Sequence, residues 1–277
     1  MFTDLAIDTR VTLNNGVRMP VFGLGTYQSR NGSQTRDVVL YALEIGYRLI
    51  DTATIYGNEE DVGRAVRDSN IPRDEIFVTT KLWNSDHGFS ATISACNESL
   101  KLLGLSYVDL YLIHWPVEGI RRESWRALEA LEKQGKCRSI GVSNYMIRHL
   151  EELLEDTSTV PAVNQVEFSP YLYQKDLLSF CRSHAIQVEA YSPLTKGQKL
   201  NDAQLVGLAR RYGKSPAQIL IRWPLQRGTV VIPKSSRKER IEENAGVFDF
   251  SISDEDMETI DSFNENYRTS WDPSTVR

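Results

Sequence analysis

The sequence predicts an α/β protein, a (β/α)8 TIM barrel with an N-terminal β-hairpin closing its bottom, and three observations predict it. Eight short, apolar, often β-branched runs begin near Val21, Arg48, Ile76, Val108, Ser139, Ala162, Gln187 and Thr229. The stretches between them mostly carry helical periodicity. The 277-residue chain also shows no Pro/Gly/Ser linker, low-complexity tract or composition shift, so residues 1–277 are expected to form one domain of a length that a barrel fills. An open, doubly wound sheet is the competing arrangement of the same elements.

The opening hairpin is read from Arg10–Leu13 and Val17–Met19 on either side of Asn14-Asn15-Gly16, where Asn and Gly accept the positive φ of a tight primed turn. Gly23-Leu24-Gly25-Thr26 follows as a strand-end turn. It is not a dinucleotide fingerprint, because Gln28 stands where a third glycine belongs and no helix pattern opens there. Val38/Val39/Ala42/Leu43 form one helical stripe that stops at Gly46, and Trp125/Leu128/Leu131 form another that stops at Gly135. Leu177/Leu178/Cys181 and Leu205/Val206/Ala209 repeat the spacing, and the long interval from Gln187 to Thr229 has room for two helices. Val108–Ile113 is apolar at nearly every position, as a strand is when helices cover one face and a barrel interior the other.

Composition narrows the function. With 32 Lys and Arg against 37 Asp and Glu, the net charge of −5 offers no basic field for nucleic acid. Cys96, Cys137 and Cys181 are odd in number and lack metal-ligand spacing, which argues against a disulfide framework or zinc site and for a reducing compartment. His87, His149 and His184 show no ligand spacing with His114, so no metal site is expected. The acidic opening MFTDLAIDTR and the absence of a long apolar stretch predict neither signal peptide nor membrane segment, hence a cytoplasmic protein.

In a barrel the chemistry collects at the C-terminal ends of the strands. Asp51, Lys81 and His114 close three successive strands, and Tyr56 follows Asp51 by five residues. Singly these read as a helix cap, a snorkelling lysine, a core histidine and a packed aromatic; together at one rim they describe a carbonyl-reducing set. A phenol with a pKa of about 10 is a weak proton donor at neutrality, and an adjacent ammonium brings that value closer to working pH. Lys81 is expected to do this to Tyr56, Asp51 to hold Lys81, and a neutral His114 to donate a hydrogen bond to the substrate oxygen. No strong nucleophile accompanies them, so reduction needs a nicotinamide.

Gly23-Leu24-Gly25-Thr26, Gly46–Ala53 with Tyr56-Gly57-Asn58-Glu59, Thr80-Lys81-Leu82-Trp83, Val108–Pro116, Gly141-Val142-Ser143-Asn144 and Ile232-Pro233-Lys234-Ser235 together resemble the aldo-keto reductases. The resemblance covers most of the chain and is nearest to the family's short members, the 2,5-diketogluconate reductases and protozoan prostaglandin F synthases. It implies an NADPH-dependent (NADP-linked) reductase with Asp51, Tyr56, Lys81 and His114 as catalytic residues, working as a monomer. It implies cofactor contacts from Gly25, Thr26, Asp51, Ser143, Asn144, Gln165, Tyr191, Ser192 and Leu194, and a phosphate and adenine pocket of Lys234, Ser235, Ser236, Arg240, Glu243 and Asn244. Tyr27, Trp83, His114 and Trp115 would bind a small-molecule carbonyl: an aldehyde, an α-dicarbonyl, a keto-sugar or a quinone. The tail after the helix from Asp254 to Phe263 is short, and the sequence leaves open whether its Trp271 folds over the mouth. The rival reading is a non-catalytic NADPH-binding regulatory or structural barrel protein, since one fold serves many functions.

Overall fold

The computed structural model describes residues 5–276. Two hairpin strands, β1 (Arg10–Thr12) and β2 (Arg18–Pro20), pair antiparallel. The chain then alternates β3 (Leu24–Gly25), α1 (Ser33–Glu44), β4 (Leu49–Asp51), α2 (Glu59–Asp68), β5 (Phe77–Leu82), α3 (Phe89–Leu103), β6 (Val108–Ile113) and α4 (Arg121–Lys133). It continues through β7 (Cys137–Ser143), α5 (Ile147–Asp156), β8 (Val163–Glu167), α6 (Lys175–Ser183) and β9 (Gln187–Tyr191). Two helices, α7 (Ala203–Arg211) and α8 (Pro216–Gln226), precede β10 (Val230–Val231), and α9 (Lys238–Ala245) and α10 (Asp254–Asp261) end the series. The eight parallel strands lie in chain order from β3 to β10. The ring closes where Phe22 and Gly25 bridge Val231 and Lys234, with Gly23 N–H donating to the Val231 carbonyl at 2.9 Å.

Alternation along the strands divides the residues between two cores. Outward side chains such as Ile50, Val78, Tyr111 and Val188 meet the helices, whose stripes include Val39, Leu100, Leu128 and Leu178. Inward side chains Leu49, Phe77, Leu110, Val163 and Val230 meet Leu13 and Met19 from the hairpin, which plugs the ring from below. Each such buried apolar side chain contributes about 1.5–3 kcal/mol. Two and four residues further up the strands the inward positions turn polar, to Asp51, Lys81, Gln165 and Glu189, so the barrel carries a dry floor under a charged upper layer.

The hairpin differs from expectation in its turn. Of Asn14, Asn15 and Gly16 only Gly16 takes a positive φ, 85°. Gly16 N–H donates to the Leu13 carbonyl and Leu13 N–H to Val17, both at 2.9 Å, a three-residue loop with its left-handed residue last rather than a two-residue primed turn. Among the described residues the three cysteines are free and buried, and no helix is long and apolar enough to cross a membrane.

Close packing of α2 on α3 rests on Gly63. A Cβ there would stand 1.9 Å from the Leu103 carbonyl oxygen. Gly63→Ala is therefore expected to destabilise the fold by about 1–3 kcal/mol despite alanine's better helix propensity. An unchanged urea midpoint would contradict this packing.

Candidate active site

A cleft of about 1160 Å³ opens at the C-terminal ends of the strands. Asp51 ends β4, Lys81 sits one residue before the end of β5, and His114 follows β6. Tyr56 is brought to the same point by a 3-10 turn, Thr54–Tyr56, fixed by Thr54 Oγ1 donating to the Lys81 carbonyl at 2.9 Å. Asp51, Tyr56 and His114 line the cleft with Tyr27, Trp83 and Trp115. Lys81 lies beneath it, fully buried.

The Lys81 ammonium has three partners: Asp51 Oδ1 at 2.7 Å, the Thr52 carbonyl at 2.8 Å and the Tyr56 hydroxyl at 3.5 Å. The second Asp51 oxygen accepts from Gln165 Nε2 at 2.8 Å, and the same nitrogen donates to Glu189 Oε2 at 2.8 Å. The Tyr56 ring lies 5.0 Å from Tyr27 and 5.8 Å, edge-on, from His114, whose other side meets Trp83 at 5.3 Å.

Electrostatics correct one expectation. The Tyr56 phenol is held well above its ordinary pKa, first by desolvation and then by the negative fields of Asp51, Tyr27 and Glu189. Asp51 stands nearer to the Lys81 ammonium than Tyr56 does, so the carboxylate offsets the cation before the phenol feels it. Tyr56 is thus a neutral, fully protonated donor. Burial, assisted by Lys81, holds His114 well below its ordinary value, which keeps the imidazole neutral. Its Nδ1 is buried without a hydrogen-bond partner among the described residues.

The remaining predicted residues divide unequally. Gly25, Ser143, Asn144, Gln165, Tyr191, Ser192, Leu194, Lys234, Ser235, Ser236, Arg240, Glu243 and Asn244 all line the cleft. Thr26 does not: it is buried, and its hydroxyl donates to the Asp51 carbonyl at 2.9 Å, tying β3 to β4. Asn144 Nδ2 donates to the His114 carbonyl at 2.9 Å and to Ser143 Oγ at 3.1 Å, and its Oδ1 accepts from the Tyr191 hydroxyl at 2.8 Å. Asn144 (φ 64°), Ser192 (φ 50°) and Lys196 (φ 51°) hold the left-handed region on the cleft wall, a local cost of the kind found at binding sites.

Three features escaped the sequence reading. Arg237 joins Lys234 and Arg240 on the wall, and none of the three makes an ion pair among the described residues. The buried Glu167 carboxylate accepts from Thr269 N–H (2.7 Å), Thr269 Oγ1 (2.5 Å) and Ser270 N–H (3.1 Å), which moors the tail. Trp271, moored in this way, lines the cleft and meets Trp115 at 5.7 Å between ring centroids. The third feature is Glu189. A period-two reading back from Tyr191 along the same face would have found it.

Comparison with known proteins gives a consistent answer. A sequence model described as the aldo/keto reductase family matches residues 21–265. Glyoxal reductase of Bacillus subtilis (strain 168) is 50% identical over 266 residues, covering 96% of each chain. The crystal structure of an aldo-keto reductase enzyme from a Medee basin deep-sea metagenome library superposes with a TM-score of 0.93 at 47% identity, covering 97% of this chain and 100% of that one. A Bombyx mori aldo-keto reductase in complex with NADP superposes with a TM-score of 0.88 at 38% identity, covering 94% of each.

Proposed function

The chain is an oxidoreductase that belongs to the aldo/keto reductase family, and on that premise we propose that it reduces small aldehydes and α-dicarbonyls to alcohols with NADPH, Tyr56 acting as the proton donor. The observation that carries this reading is the Tyr56 hydroxyl beside the Lys81 ammonium, opposite a neutral His114, in one cleft whose wall also bears Lys234, Arg237 and Arg240.

The donor set fits a nicotinamide dinucleotide. Asn144 and Gln165 spend their amide N–H groups within the protein, so what they offer a ligand is oxygen, the partner a carboxamide NH2 requires. Tyr191 adds a flat ring at the end of β9. Lys234, Arg237 and Arg240, with Ser235 and Ser236 beside the N-terminus of α9, would hold a phosphate ester, where backbone N–H groups and the helix dipole add to the cations. When bound, NADPH supplies the hydride.

The protein's own part is to orient the carbonyl and manage one proton. The neutral His114 imidazole, in its Nε2–H form, donates to the carbonyl oxygen and fixes it near Tyr56. As negative charge builds on that oxygen, Tyr56 Oη transfers its proton to it, and the phenolate left behind is stabilised by Lys81 Nζ. Because the resting phenol is so weak an acid, the transfer waits for charge on the substrate. Trp83, Trp115, Tyr27 and Trp271 present aromatic surface around this polar centre, which selects for carbonyls carrying an apolar or planar substituent.

The test is NADPH oxidation with glyoxal, methylglyoxal, phenylglyoxal and nitrobenzaldehyde. No turnover with any of them would overturn the reading in favour of a non-catalytic NADPH-binding protein. Arg240→Ala is expected to lower the NADPH-over-NADH ratio of kcat/KM by roughly ten- to a hundredfold, since a charge-assisted hydrogen bond is worth about 1.5–3 kcal/mol. An unchanged ratio would remove Arg240 from the phosphate pocket. The proposal extends to a single-domain monomer and to the cytoplasm, where three free cysteines persist.

A further inference from the structure

Under the catalytic layer lies a carboxyl group that the proposed mechanism does not use. Glu189 points into the barrel from β9, fully buried, between Gln165 on β8 and Val230 on β10. Its Oε2 accepts from Gln165 Nε2, whose other bond goes to Asp51, so a single amide links the two acids at 2.8 Å each. Its Oε1 is buried with no hydrogen-bond partner among the described residues. An ionised carboxylate with one bare oxygen in such a place is costlier than the neutral acid, which takes no charge out of water.

We propose that Glu189 is a positioning residue for the proton donor: tied to Asp51 through the Gln165 amide, it sets the charge beneath Tyr56 and with it the readiness of the phenol to give up its proton. The inference rests on the proposed reduction chemistry. The charged and titratable groups acting on Glu189 are Asp51 from β4, Lys81 from β5 and Tyr56 from the turn after β4; directly opposite it in register β8 and β10 place a neutral amide and a valine, with Glu167 and Tyr191 two residues further along β8 and β9. With Glu189 protonated, the Asp51 carboxylate and Lys81 ammonium balance. Loss of its proton adds an uncompensated negative charge, which opposes phenolate formation at Tyr56 and slows proton donation. Desolvation, assisted by Asp51, pushes the Glu189 carboxyl up to about 8, so this change falls within the working range of pH.

The experiment compares the unaltered protein with Glu189→Gln, an uncharged side chain of the same shape, in two measurements. In the first, kcat/KM for phenylglyoxal with NADPH is followed across pH. The unaltered protein is expected to lose activity as pH rises through about 8, and the variant to lose roughly tenfold less over the same interval. Superimposable profiles would overturn the proposal. In the second, infrared difference spectra are taken as pH is raised through the same point. The protonated carboxyl C=O band should bleach in the unaltered protein and be missing from the variant; identical spectra overturn the proposal whatever the kinetics show. If no carbonyl is turned over at any pH, the functional reading fails, while the infrared result still decides the state of Glu189. Glu189→Met serves both comparisons should the Gln variant not fold.

Discussion

Tyr56→Phe is expected to lower kcat for carbonyl reduction by about a thousandfold or more while NADPH affinity stays within about twofold. The substitution removes one oxygen. That oxygen accepts from Lys81 Nζ at 3.5 Å, and among the described residues it has no other hydrogen bond. The phenyl ring keeps its contacts with Tyr27 and His114, so the cleft retains its shape. What disappears is the only neutral O–H donor placed beside an ammonium at this rim among the described residues. His114, held neutral by burial, is a poor substitute because its N–H is a still weaker acid than the phenol. A single-turnover rate and a fluorescence titration with NADPH check the two halves separately. Normal turnover would take the role of acid away from Tyr56.

Lys81→Met is expected to be nearly as damaging to kcat, and unlike Tyr56→Phe it should also loosen the fold. Lys81 and Asp51 are both buried, and the ammonium is the only cation within reach of the carboxylate among the described residues. Removing one partner of such a pair leaves an uncompensated charge and costs about 3–5 kcal/mol. In a chain of this size that corresponds to a fall in Tm of roughly 10 °C. Asp51→Asn should cost less activity, because the ammonium keeps the Thr52 carbonyl and the Tyr56 hydroxyl. The double variant Lys81→Met/Asp51→Asn separates the effects: melting temperature should largely return, and turnover should not. If activity returns with stability, Lys81 acts on the fold alone.

How much of this was legible in the sequence depends on the range of the interaction. The barrel was, because its strands and helices write their periods into runs of a few residues, and the inward and outward faces of β5 and β6 follow from alternation alone. The grouping of Asp51, Lys81 and His114 was legible for the same reason: consecutive strand ends must be neighbours on the rim. Tyr56 was less so, since a short 3-10 turn leaves little pattern, and its place rested on its following Asp51 by five residues. The sign of its pKa shift came out reversed because Asp51 and Glu189, far apart in sequence, meet only when the ring closes, and their combined field with burial outweighs one ammonium. The resemblance placed Thr26 among the cofactor contacts, but the strand end turns its hydroxyl under, onto the Asp51 carbonyl. The mooring of Thr269 and Ser270 by Glu167 spans about a hundred residues of chain and leaves no local signal.

The three buried cysteines bear on durability. Dicarbonyl compounds condense readily with accessible thiolates, so a catalyst that consumes them risks being titrated by its own feedstock. Cys96, Cys137 and Cys181 are sealed among apolar side chains. Burial pushes the Cys181 thiol up to about 11, and a hydrogen bond shared with Cys96, reinforced by burial, holds the Cys137 thiol well above its ordinary value. With all three thiols buried, exposure to methylglyoxal at neutral pH is expected to leave the activity unchanged.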